Sequence, residues 1–147
     1  MSEQPLRARL DGGAVVLSGV LDLMLGRGAR LVLDFKHGEA RGSHAEDMRF
    51  YALLVTLAMR RAPYRVATVY LESMEWQAED VTREILEHAA ARVELAVKTA
   101  SELTGGREAA LDPGRHCGWC PRRRVCPVSA AEEADDSTRP EVAEVVG

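Results

Sequence analysis

The stretch 14-AVVLSGVLDLMLGRGARLVLDFK-36 decides how the rest of the chain is read. Two runs rich in Val and Leu flank Gly26-Arg27-Gly28. Glycines on both sides of the centre let a tight turn reach positive φ. The pattern predicts a β-hairpin, with residues 14–25 as one strand and 29–36 as the other. Each run carries one carboxylate in an apolar setting, Asp22 and Asp34. Side chains alternate along a strand, so Asp34 and Lys36 project from one face and Phe35 from the other. A turn centred on Arg27 sets residue 22 opposite residue 32, which leaves Asp22 diagonal to Asp34. A slip of one residue would send Asp22 to the opposite face.

The lysine stands out against the composition. The chain has 19 basic residues, and only Lys36 and Lys98 are lysines. Two carboxylates and a backbone carbonyl near Phe35 are hard oxygen ligands suited to Mg²⁺ or Mn²⁺. Such an ion polarises a phosphodiester and lowers the pKa of a bound water. A lysine beside it can orient or deprotonate that water, or stabilise phosphorane charge. Arginine, with its broad and permanently charged fork, cannot do the same. The plainer reading of Asp-x-Lys is an ion pair at a sheet rim, worth little. Asp22 speaks against it, because a carboxylate buried in an apolar run needs a cation or metal as partner.

Beyond the hairpin, Gly38 and Gly42 mark a loop, and residues 43–62 have helical periodicity. Ser43 and Glu46 have the spacing of a capping box. The expected inward face is Met48, Tyr51, Ala52, Val55 and Ala58 or Met59, with Arg60 and Arg61 in the last turn and Pro63 beyond. Residues 65–72 read as a third strand. Residues 79–104 read as a long helix burying Val81, Ile85, Leu86, Ala89, Val93, Leu95 and Val97, ended by Gly105-Gly106. Trp76 is expected to pack where that strand meets the long helix, and His44 and His88 to be ordinary helix residues. The fold class is α/β: a β-hairpin, a helix, a strand and a long helix, with a C-terminal cysteine segment.

At 147 residues there is room for one core domain, assigned to 1–113, with a cysteine segment at 114–128 and an acidic, disordered tail at 129–147. The tail holds six of the 23 acidic residues and one basic residue, so the net charge of −4 becomes +1 over residues 1–128. That balance neither requires nor excludes a nucleic-acid partner. No apolar stretch approaches the ~20 residues of a membrane-spanning helix. The N-terminus is polar, which points to a cytoplasmic protein. Cys117, Cys120 and Cys126 lie within ten residues, an odd and clustered set that makes a poor disulfide framework. A metal or cluster site and plain free thiols both remain open. Arg122, Arg123 and Arg124 lie inside this loop, either solvated or holding DNA phosphates.

Taken in order, these pieces resemble the RecB-like PD-(D/E)XK nucleases, a group that includes the RecB and AddB nuclease domains and the CRISPR-associated four-cysteine exonucleases. The likeness runs from about Val15 to Pro127. Gly19-x-x-Asp22 matches the first acidic strand motif, and Asp34-Phe35-Lys36 matches (D/E)-x-K. Asp47 and Tyr51, one helical turn apart, match Gln-x-x-x-Tyr, with aspartate in place of glutamine. Cys117-x-x-Cys120-x5-Cys126, with Trp119 and Pro121, matches the cysteine triplet.

The resemblance implies a restriction-endonuclease-like core and Mg²⁺- or Mn²⁺-dependent DNA cleavage. It implies metal held by Asp22 and Asp34, catalysis with Lys36, and support from Asp47 and Tyr51. It also implies a 4Fe–4S cluster, or alternatively Zn²⁺, at the cysteines. Relative to the family, an N-terminal helix and a fourth cysteine are absent; a helicase or second nuclease subunit is the expected source. A DNA-binding or assembly module without a working site is the competing expectation. A small zinc-binding interaction protein is a third.

Overall fold

The computed structural model describes residues 4–128. The acidic segment 129–147 lies outside the described residues. Compact units divide between Thr104 and Gly105.

The first unit contains six strands and two helices. β1 (Gln4–Leu10) pairs antiparallel with β2 (Val15–Leu21), joined by a turn over Asp11–Gly13. β3 (Leu23–Leu25), β4 (Leu31–Lys36), β5 (Arg65–Tyr70) and β6 (Trp76–Asp80) form a second sheet in that order. β4 and β5 are parallel, connected through α1 (Gly42–Met59), and the outer pairs are antiparallel. α2 (Arg83–Thr104) follows β6. The result is a mixed α/β core, as the sequence predicts.

The expected hairpin is corrected in two respects. The run from Val15 to Leu25 is not one strand but two, bent at Asp22 and serving two sheets. Up to Leu21 its partner is β1; from Leu23 it is β4. β1 was not anticipated, although Leu6, Ala8 and Leu10 alternate with exposed Arg7 and Arg9 in the period of a half-buried strand. The register also moves. Leu23 faces Leu33, which brings position 22 level with 34 rather than 32. A shift of two residues preserves the face, whereas a shift of one would not.

α1 covers the sheet face bearing Val32 and Val66, and the core there contains Leu21, Met48, Ala52 and Val55. A neighbouring cluster of Ala8, Leu17 and Leu54 joins the β1–β2 hairpin to the same helix. Leu54 is fully buried in it. Leu54→Ala is expected to lower unfolding free energy by about 2–5 kcal/mol, read from the urea midpoint at unchanged slope.

Several boundaries differ for physical reasons. Ser43 does not cap α1: Arg41 holds the N-cap position with no side-chain bond, and Glu46 turns instead to Arg49, His88 and Arg92. Arg60 and Arg61 lie beyond the helix end, where Arg60 takes a left-handed φ of 56°. Residues 76–80, partly assigned to the long helix, form an exposed edge strand. α2 then begins after Thr82, whose hydroxyl accepts the N–H of Ile85 at 3.4 Å. Trp76 on that edge strand is 58% exposed, and Leu95 on α2 is 65% exposed, so neither packs as expected.

The second unit, over its described residues, is a series of tight turns. Cys117 N–H bonds to Gly114 carbonyl at 2.8 Å, Arg123 N–H to Cys120 carbonyl at 3.1 Å, and Cys126 N–H to Arg123 carbonyl at 3.2 Å. No helix of the described residues is long and apolar enough to cross a membrane.

Candidate active site

The C-terminal half of β4, the bend at Asp22 and the first half of α1 bring their acidic and basic side chains to one site. β4 brings Asp34 and Lys36 to the face covered by α1. Asp34 is 5% exposed, and its Oδ2 lies 3.0 Å from Lys36 Nζ. That approach falls outside hydrogen-bond angles, so the buried Oδ2 has a charge beside it but no aligned donor. Asp22 is fixed by its own neighbour strand: the Phe35 N–H donates to Asp22 Oδ2 at 2.8 Å.

Electrostatics tie these groups to α1. Burial pushes the Asp34 carboxyl up; Lys36 opposes this, and Asp22 and Asp47 add to it. Burial outweighs the ion pair, so Asp34 titrates above its ordinary 3.8. Lys36 is also raised, through its contact with Asp34, against burial and with help from Asp47 and Tyr51. The metal-free protein thus holds Lys36 charged. A lysine that deprotonates water needs the opposite shift. Burial and the Asp34 charge raise the Tyr51 phenol, which keeps it a neutral donor. Asp47 is exposed beside them. Asp22, Asp34, Lys36, Asp47 and Tyr51 therefore occupy one neighbourhood.

Gly19 explains part of the close fit. A Cβ there would lie 3.0 Å from Tyr51 Cε1 and 3.1 Å from Leu54 Cδ2. Gly19→Val is expected to displace the Tyr51 ring and destabilise the protein by about 1–3 kcal/mol in a thermal melt.

Two features escape a reading by motif. His44, taken as an ordinary helix residue, has Nδ1 3.2 Å from Tyr70 Oη, and Tyr70 is the register partner of Lys36. Arg49 forks onto Glu79 of β6 at 2.9 and 2.8 Å and reaches Glu46 at 2.8 Å; Glu46 also meets His88 at 3.1 Å and Arg92. Burial raises the Glu46 carboxyl, but His88, Arg92 and Arg49 together bring it below the usual range. This network clamps β6 and both helices around the side of α1 next to Asp47. Only the i,i+3 spacing of Glu46 and Arg49 announces it in the sequence.

Asp34 and Asp22 suit a hard divalent cation. A buried carboxylate oxygen without an aligned donor stands beside a second carboxylate, and Mg²⁺ often takes one or two carboxylates and keeps several waters. The cysteines differ. All three are free and half-buried, and among the described residues no three His, Cys, Asp or Glu side chains gather as a metal-binding group. As they stand they do not fit a cluster or a structural zinc, which needs four ligands. Arg122, Arg123 and Arg124 are exposed on the second unit.

A family model described as the PD-(D/E)XK nuclease superfamily matches residues 2–127. The chain belongs to that superfamily. PD-(D/E)XK nucleases use divalent metals such as Mg²⁺ or Mn²⁺, in keeping with the donors at Asp22 and Asp34. A crystal structure of SSO0001 is similar over 88% of this chain, at 14% identity and a TM-score of 0.49. The chain spans 60% of that protein's length. Among curated proteins, none matches.

Proposed function

We propose that this PD-(D/E)XK protein is a metal-dependent deoxyribonuclease of RecB-like type, serving DNA repair, recombination or defence. The observation that carries the proposal is the buried Asp34 oxygen, lacking an aligned donor, 3.0 Å from Lys36 and within the electrostatic reach of the Asp22 carboxylate. Asp34 and Asp22 would hold Mg²⁺ or Mn²⁺, which supplies a polarised phosphodiester and an activated water when bound. Lys36 orients that water and stabilises the negative charge that grows on the phosphorane. Tyr51, kept as a phenol, donates to a phosphate oxygen, and Asp47 keeps Lys36 charged and in place.

DNA is the proposed substrate, with Arg122, Arg123 and Arg124 as candidate phosphate contacts. Cleavage of labelled single- and double-stranded DNA with Mg²⁺, Mn²⁺ or EDTA tests the enzyme reading. Metal-dependent product formation is expected. Inert protein that still binds DNA would leave a DNA-binding module of the same fold.

The cysteine reading rests on the CxxC-x5-C spacing. Three thiolates are one short of a 4Fe–4S set, and a helicase or second nuclease subunit would supply the fourth. Iron, sulfide and zinc analysis of the chain purified anaerobically together with such a subunit is expected to find bound metal. Fully titratable thiols with no metal would sink this part.

A further inference from the structure

At the other end of the parallel strands from Asp34 and Lys36 lies a cationic patch that the candidate site does not use. Arg30 immediately precedes β4, and its carbonyl accepts the Tyr64 N–H at 2.9 Å, which places Tyr64 beside it; Arg60 and Arg61 lie in the short link between the end of α1 and Tyr64. Arg27 is in the β3–β4 turn at the same edge, and Arg83 opens α2 there, because Arg65 pairs with Asp80 at the end of β6. Arg27, Arg60, Arg61 and Arg83 are exposed. Among the described residues Asp80 and Glu84 are the carboxylates at this edge, and Asp80 is taken by Arg65 at 2.5 Å.

Two details set this patch apart from a solvated charge run. The Arg30 Nη1 is buried with no hydrogen-bond acceptor, a state that an incoming anion would relieve. Arg60 occupies a left-handed C-cap, φ 56°, a position that ordinarily favours glycine or asparagine. Strained backbone of this kind clusters at functional sites. An exposed aromatic accompanies the arginines: Tyr64 is 48% exposed, with the Arg65 guanidinium 6.0 Å from its ring centroid.

We propose that Arg27, Arg30, Arg60 and Arg61, with Tyr64, form a second nucleic-acid contact that grips backbone phosphates remote from the cleavage cleft. The inference rests on the nuclease reading for its choice of polyanion. Arginine forks match phosphate geometry, and exposed aromatic rings stack on bases. Six residue steps separate Arg30 from Lys36 along β4, about 20 Å, or roughly six base pairs of duplex. Contact at both ends therefore requires a substrate at least that long, and shorter ones engage one end at a time.

The test is binding of the full chain to a fluorescent 20-base-pair duplex in EDTA, across about 50 to 200 mM salt. Arg30→Gln/Arg60→Gln/Arg61→Gln is expected to weaken binding at least about tenfold and to lower the salt slope by about 3, since each lost phosphate contact removes roughly 0.9. Arg60→Gln/Arg61→Gln, confined to exposed positions, guards against a folding defect and should lower the slope by about 2. A four-nucleotide ligand, too short to span both ends, should show a smaller salt slope on the wild type than the duplex does. An unchanged slope overturns the proposal, and so does loss of polyglutamate binding with DNA binding intact, which would assign the patch to an acidic polypeptide. Lys36→Ala separates the two readings. Wild-type protein that shows the full salt slope but never cleaves removes the nuclease reading and leaves this one standing.

Discussion

Lys36→Arg will cut metal-dependent DNA cleavage by at least about a hundredfold, and Lys36→Ala by as much or more, with DNA affinity nearly unchanged. The charge survives in the arginine variant, so simple electrostatics predicts little loss. Geometry predicts a large one. Lys36 sits 3.0 Å from a buried carboxylate oxygen and within electrostatic reach of Asp47 and Tyr51 on α1. A guanidinium placed there would fork onto Asp34 and supply the aligned donors its oxygen lacks. The cation site would close and the water would lose its guide. Single-turnover rates with saturating enzyme measure the effect on chemistry directly. Equal rates for wild type and Lys36→Arg would remove lysine from the mechanism.

Asp34→Asn should abolish cleavage and also uncouple stability from metal. Ligand that binds only the folded state stabilises it by about 2.7 kcal/mol at a hundredfold excess over Kd. In a domain of this size that amounts to a rise in Tm of roughly 5–10 °C with Mn²⁺ or Mg²⁺. Asp34→Asn should show no such rise, while its metal-free form melts at or above the wild type, because a buried charge has been removed.

The pH dependence has a definite sign. The Asp34 carboxyl is raised above 3.8, so between its unfolded and folded values the native state binds more protons than the unfolded one. Its contribution to stability therefore improves as pH falls through the folded value and levels off below 3.8. Asp34→Asn should flatten that part of the metal-free curve.

Much of this arrangement is legible in the residues. Asp34-Phe35-Lys36 ends an apolar strand, and Asp47 and Tyr51 share a helix face, so local periodicity alone brings them close. Other parts depend on contacts that periodicity does not encode. The Val15–Leu25 run looks like one strand because nothing local marks a change of partner; the change shows only once β1 claims its first half. β6 is rich in Gln, Glu and Asp, which an edge strand tolerates and a helix prediction favours. Its place is set by β5 and by Arg49 reaching Glu79. Ser43 and Glu46 have the spacing of a cap, but two arginines and a histidine brought in by the fold compete for the glutamate.

The bend at Asp22 also bears on how such a sequence can change over time. A single residue separates the last β1-paired position, Leu21, from the first β4-paired one, Leu23. An insertion of one residue there would reverse the facing of β3 or of β2, exposing Leu21 or dislodging Asp22 from the Phe35 amide. The Asp11–Gly13 turn is the contrary case. Its glycines have open space around them and already adopt positive φ, so added length would project harmlessly outward. The N-terminal hairpin can thus accept an affinity tag or an insertion at its tip, whereas the joint at its base can vary in residue type but not in length.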